Sequence, residues 1–515
     1  MKSHNWPGML LTVVWVLASL SYSYGGYVPP GPRYPCPTNP IHAQFLYPCN
    51  CTAGTDAGLY VSCEKTNLAS LSVGLANLAS VGYPVEQLTV RSCYFVHLYG
   101  DLLYSLKIRV LRFIDTPIRT MKPYTFLGVN RTLQELHIIN SSLQEFPKDA
   151  FSNLGNLTIL NIDGHNMSSL EKDSFSGTMI PNHLQRLSVV NGPLADLPAD
   201  TLTACKRLKR LDLHNNSLSV IQKGQFKGLR DVEFLDMSFN NISKIDHMVD
   251  LSKMGWCNFS HNAIPDFTSR AFARNAVLRS LSLSHNKLRK IDSSSFRGMR
   301  LIRRLYLSDN NIKDVGRGTF DNLARIGTID LARNQIKKID FQMFNRLQYV
   351  ELIDVSANLV TEIQKHAFKE LYLVHINLSY NAIAKIEPLA FENCANITVL
   401  DMSNNKIVSF PKNAFDEITY ATELQLSNNL LTDLSQVPLA NMTGIKILNV
   451  SHNEIAVIPR NTFPKLYELH TIDVSNNNLS NIAIAVFQSL FSLRNLLLDH
   501  NSMEEIKSGT FGTLP

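Results

Sequence analysis

An asparagine that returns at a nearly fixed interval constrains this chain more than any other feature. It stands at Asn216, Asn240, Asn262, Asn286, Asn310, Asn334, Asn358, Asn381, Asn405, Asn429, Asn453, Asn477 and Asn501, and ten of the twelve intervals are 24 residues. Around each lies the segment L-x-x-L-x-L-x-x-N-x-L, as in LKRLDLHNNSL, LRSLSLSHNKL and IKILNVSHNEI, and 18 copies align between about residue 85 and Met503. A unit this short cannot bury its own apolar face, so the copies must stack on one another. Alternation at the fourth, fifth and sixth positions sends Leu211 and Leu213 to one side and Asp212 to the other, as a short strand does. Each leucine enclosed by a neighbouring copy contributes about 1.5–3 kcal/mol. The chain must then turn while still enclosed, and the Asn amide can serve both an N–H and a C=O there. An unpaired polar group in that position would cost about 1–3 kcal/mol.

Sustained for so many copies, this pattern resembles the leucine-rich repeat. The resemblance implies an α/β-type solenoid, a curved horseshoe with a parallel concave β-sheet and a mostly irregular or short-helical convex side. A chain of 515 residues exceeds what one hydrophobic core can serve, which an array accommodates. A second recurring mark is Phe151, Phe175, Phe226, Phe272, Phe296, Phe320, Phe344, Phe368, Phe391, Phe415, Phe463, Phe487 and Phe511. Its solenoid period reads as a packed aromatic spine rather than a cofactor box. Cys205 and Cys394 fall where other copies carry Leu229, Leu323, Leu347 or Leu466, and read as buried thiols too far apart to pair. In the early copies Cys93, Thr116, Ser141, His165 and Gly192 replace the asparagine, so less regular turns and a different curvature are expected there. Such irregular repeats are candidate binding sites, although tolerated drift explains them as well.

The first 25 residues carry Lys2, an apolar run from Leu10 to Leu20 and small or polar residues to Gly26, the form of a secretory signal peptide. No stretch reaches the roughly 20 apolar residues of a membrane span. Of eight cysteines, four crowd into residues 26–84 as Cys36, Cys49, Cys51 and Cys63. In an exported chain this reads as disulfides, zinc being poorly matched by C-x-C spacing. The order of the four resembles the cysteine-flanked N-terminal cap of extracellular leucine-rich-repeat proteins, which implies Cys36–Cys51 and Cys49–Cys63 pairing. The array is then expected over 85–515, open at its C-terminal end, with any anchor in a part beyond Pro515.

Thirteen N-x-S/T sequons, at Asn50, Asn130, Asn140, Asn156, Asn166, Asn215, Asn241, Asn258, Asn377, Asn396, Asn441, Asn449 and Asn478, fit a glycosylated surface. Asn258, Asn377 and Asn449 occupy the fifth position of the strand segment, on the concave side. Glycans there would keep a protein ligand from lying flat along the whole face. Asp212, Asp236, Asp330, Asp354, Asp401 and Asp473 share that position and read as a solvated stripe, since catalytic carboxylates need unlike environments and calcium needs a ligand-rich loop. The strongest charge cluster runs from Asn286 to Arg304; Arg279, Arg303 and Arg304 lie on concave positions beside Tyr306, a candidate basic patch for a sulfated glycan or acidic protein, or simply a solvated face. No G-x-S-x-G, H-E-x-x-H or G-x-x-x-x-G-K motif is present, so no catalytic residue, metal or cofactor is called for.

The cysteine segment PCNCTAGTDAGLYVSCEKTNL followed by tandem 24-residue copies resembles the long extracellular leucine-rich-repeat proteins of arthropods, of the artichoke and chaoptin type. That resemblance implies a non-catalytic, secreted, matrix or cell-surface protein in cell adhesion and in tissue or sensory-organ morphogenesis. Extracellular proteins, matrix glycans and a second copy of the chain remain open as partners; nucleic acid is not expected. The rival reading is a Toll-like receptor ectodomain that signals through a membrane span and cytoplasmic part.

Overall fold

The computed structural model describes residues 31–37, 44–245, 248, 250–266, 271–418, 420–511 and 514. The proposed signal peptide lies outside them. A 20-stranded sheet runs through the molecule. It begins with an antiparallel pair, β1 (Cys49–Gly54) and β2 (Leu59–Glu64). From β2 onward every pairing is parallel and joins strands in chain order, from Val85–Arg91 to Asn495–Leu497. The fold is therefore a parallel β-solenoid of about 18 turns.

Register follows the repeat. Leu211, Leu235, Cys257, Leu281, Leu305 and Ile329 are successive Cα partners, all buried. Cys257, whose place in this column the sequence reading passed over, fills a leucine slot. Cys205 and Cys394 are buried as well, and Cys93, Cys205, Cys257 and Cys394 are all free. Burial pushes the Cys205 and Cys394 thiols up to about 12 and raises Cys93 and Cys257. Since the thiolate is the nucleophile, iodoacetamide at pH 8 is expected to label none of the four in the native protein and all four in denaturant. Native labelling, read by peptide mass, would contradict this packing.

The phenylalanines form the spine. Phe320, Phe344, Phe368 and Phe391 stack at centroid distances of 5.5, 5.3 and 5.3 Å. Where the series skips a copy, buried Leu202, Met248 and Leu439 take the slot. The convex side also carries short parallel ladders that the pattern did not announce: Lys338–Ile339, Glu362–Ile363 and Lys385–Ile386 pair in one, Phe344–Asn345, Phe368–Lys369 and Phe391–Glu392 in another.

The two disulfides are Cys36–Cys51 and Cys49–Cys63, as the family resemblance implies. Behind them, helix α1 (Leu68–Val81) starts at Asn67, whose side chain accepts from the Ser70 N–H, and ends at Gly82 with φ 72°. It buries Leu71, Leu75 and Leu78 against the first turns. Among the described residues no helix is long and apolar enough to cross a membrane.

Candidate functional site

The turn after each strand is closed by the recurring asparagine. Asn334 is typical: its Nδ2 donates to the Leu307, Leu331 and Ala332 carbonyls at 3.0, 3.0 and 3.2 Å, and its Oδ1 accepts from the Ile312 N–H at 3.0 Å. Asn216, Asn240, Asn262, Asn286, Asn310, Asn358, Asn381, Asn405, Asn429, Asn453, Asn477 and Asn501 each donate to a carbonyl of the preceding turn and accept from an N–H of it. The early substitutes recover part of this. Thr116 Oγ1 donates to the Ile114 carbonyl and accepts from the Cys93 N–H, while Cys93 Sγ donates to the Arg91 carbonyl.

The aspartate stripe departs from the expectation of free solvation. Each of the six is half-buried, and its Oδ1 accepts from the backbone N–H two residues on, as Asp354 does from Ser356 and Asp473 from Ser475. Asn258, Asn377 and Asn449 use the same oxygen on Ser260, Ser379 and Ser451. The turn needs only an acceptor, so Asp and Asn serve equally. The Asn form, with Ser two residues on, is also a sequon. Of the others, Asn50, Asn140, Asn156, Asn166, Asn215, Asn241, Asn441 and Asn478 are exposed, and Asn130 and Asn396 are half-buried.

Arg279, Arg303, Arg304 and Arg325 are exposed on one flank of the concave face, and none makes an ion pair among the described residues. Arg303 and Arg304 form a ridge between two hollows. The first, about 720 Å³, has Gly255 in its lining beside Trp256 and Phe234. Trp256 stacks on Phe234 at 4.0 Å, and the Arg210 guanidinium lies 3.6 Å over the Phe234 ring. The second, about 630 Å³, has Gly327 in its lining, with Tyr349 and Tyr372, 64% and 55% exposed. Both glycines take the second position of the segment, where neighbouring copies carry Arg279 and Arg303. Reading that column for missing side chains would have found the hollows. The basic patch is thus a ridge with a notch on either side.

A further column runs along the strand ends at the eighth position, where residues take positive φ. There Phe239, His261 and His285 stack at 4.0 Å spacings, His285 Nε2 lies 3.4 Å from Asp309, and Arg333 grips Asp309 through two 2.8 Å bonds. No cluster of three metal-ligating side chains occurs among the described residues.

This chain is a leucine-rich-repeat protein. Residues 182–242, 372–431 and 419–479 match the family model described as leucine rich repeat, and 265–398 match that of the BspA type leucine rich repeat region. It is 32% identical over 113 residues to keratocan of Gallus gallus, a match covering 22% of this chain and 30% of keratocan. It is 26% identical over 144 residues to Toll-like receptor 3 of Boselaphus tragocamelus, covering 28% of this chain and 16% of the receptor. The chain thus spans under a third of the length of either relative. The glycosylated Toll–Spätzle complex of Drosophila superposes with a TM-score of 0.61 at 15% identity, over 90% of this chain and 59% of that one, which shows a shared fold. The repeat family and the fold are thus shared, and the two disulfides are consistent with an extracellular place.

Proposed function

We propose that this is a non-catalytic extracellular adhesion protein, acting in the matrix or at the cell surface in tissue or sensory-organ morphogenesis, and that it contacts its partner through the middle of the array. The observation that carries the reading is a gap in the sequons. None occurs from 259 to 376, while concave Asn258 and Asn377 stand at either border. Four concave strands lie within this window, and so do Arg279, Arg303, Arg304, Arg325 and the Tyr349–Tyr372 hollow. The N-terminal repeats, by contrast, carry Asn130, Asn140, Asn156 and Asn166. A protein partner needs about 800 Å² of contact from each side, and a sequon-free stretch spanning four concave strands leaves such a contact unobstructed by glycans.

A glycan wedge tests the window. Ser282→Asn creates N-L-S at the concave fifth position inside it, and Gln425→Asn creates N-L-S at the equivalent position outside it. Both reproduce a turn that Asn377 and Asn449 already make, so both should fold. Cells displaying Ser282→Asn, with occupancy verified by peptide mapping, are expected to lose adhesion to matrix or to one another, and cells displaying Gln425→Asn to keep it. Equal adhesion by both would overturn the reading. The Toll-like receptor reading is favoured by the match to Toll-like receptor 3; ligand-dependent signalling by cells that carry the native protein, with no loss of adhesion when it is removed, would select it.

A further inference from the structure

Glycine at the second position needs a reason. It gives the unfolded chain more freedom to lose than any other residue does, and neither Gly255 nor Gly327, each just ahead of its strand, has the positive φ that would demand it. Nor does packing exclude a side chain at Gly255, where an added Cβ would meet nothing closer than the Glu233 carbonyl at 3.8 Å; at Gly327 the nearest atom is the Arg303 carbonyl at 3.3 Å. At Gly327 the Arg303 carbonyl already crowds a Cβ, whereas at Gly255 nothing in the chain does; at both places the missing side chain leaves a notch open to another molecule.

We infer that Gly255 and Gly327 floor two side-chain subsites and that the Arg303–Arg304 ridge between them pairs with carboxylates, so that the groove takes an extended acidic peptide segment of a partner protein with aromatic side chains four residues apart. The inference rests on the binding role proposed above and extends the contact one strand beyond the sequon-free window, to Trp256–Asn258, where the notch at Gly255 sits at the opposite end of the strand from Asn258. The spacing comes from the sheet. Gly255 and Gly327 precede strands Trp256–Asn258 and Thr328–Asp330, which are three steps apart, and at about 4.8 Å per step the notches lie about 14 Å apart. An extended chain rises about 3.3 Å per residue, so residues i and i+4 span that distance and point to the same side. Charge selects the chemistry. The unpaired arginines occupy the middle, while Glu233 and Glu351 line the far ends of the two hollows. A segment acidic at its centre complements this pattern. A sulfated polysaccharide, anionic along its whole length, meets those two carboxylates and has no side chain to fill either notch.

The test uses the whole chain and a fluorescent nonapeptide with two tyrosines four positions apart and glutamates between them, followed by anisotropy. Saturable binding is expected, falling with ionic strength. It should weaken about tenfold or more in Arg303→Ala/Arg304→Ala, and by a similar factor in Gly255→Leu, which fills the first notch. Moving the tyrosines to three or five positions apart should weaken it as much without touching the protein. Indifference to spacing, absence of peptide binding, or binding of a heparin hexasaccharide in place of the peptide would each overturn the inference. If the peptide fails while Ser282→Asn still abolishes adhesion, the window stands and the acidic-peptide assignment falls. If the peptide binds while Ser282→Asn adheres normally, the adhesive role of the window falls instead.

Discussion

Asn334→Ala is expected to destabilise the array by about 3–5 kcal/mol, a large loss for a substitution that removes little apolar area. The alanine takes away two amide hydrogens shared among three carbonyls and one accepted bond in a single buried turn. The partners left behind belong to two successive turns, so the damage reaches the contact between repeats, and it is that contact which holds a stack of individually unstable units together. Asn334→Thr should lose roughly half as much, because a hydroxyl can reproduce one donor and one acceptor, as Thr116 does in its own turn. Urea unfolding gives the ranking of the variants, and hydrogen exchange gives the location. The Ile312 amide, which loses its acceptor, should exchange faster in the alanine variant than amides several repeats away. Unchanged protection at Ile312 would mean that water replaces the side chain and that the ladder contributes little.

The repeat period makes most of this architecture readable from the sequence, because a period assigns every residue to a column before any contact is known. The Leu211–Leu235–Leu281 column, the asparagine ladder and the phenylalanine spine all follow from counting in units of about 24. What counting does not show is what a column touches. The half-burial of Asp354 and its bond to the Ser356 N–H depend on the turn closing back over the strand end. The stacking of His261 on His285 depends on neighbouring turns sharing one left-handed residue at the eighth position. The notches at Gly255 and Gly327 are absences, which a search for chemically active side chains passes over. Cys257 is inconspicuous for a related reason, since it sits inside the strand motif as a substitute for leucine and not in a cysteine pattern of its own.

The largest effect among the irregular early turns is expected at Gly192, because a second residue accounts for its identity. His165 holds the ladder position one turn earlier, 3% exposed, and its Nδ1 accepts from the Met167 N–H at 3.1 Å. A Cβ at Gly192 would lie 2.2–2.5 Å from three atoms of that imidazole, and the backbone at Gly192 has no positive φ to forbid a side chain by itself. Gly192→Asn should therefore destabilise by about 3 kcal/mol or more through overpacking alone. His165→Asn should destabilise by leaving the space half-filled. The double variant restores an asparagine to both turns, so it should be more stable than the sum of the two losses predicts, with a coupling of about 2 kcal/mol or more. Acid supplies an independent readout. Burial pushes His165 down to about 4, against an ordinary value near 6.5, and its Nε2 has no partner. The unfolded chain therefore takes up the proton first as pH falls. The stabilising contribution of the neutral ring is complete above about pH 6.5 and declines toward pH 4, by about 3 kcal/mol in all. Other groups titrate in the same range, His137 among them, so the quantity to measure is the difference between wild type and the double variant across pH 7 to 4. A shallower acid slope in the double variant assigns the effect to His165; parallel slopes would show that the ring is hydrated and that Gly192 is glycine for some other reason.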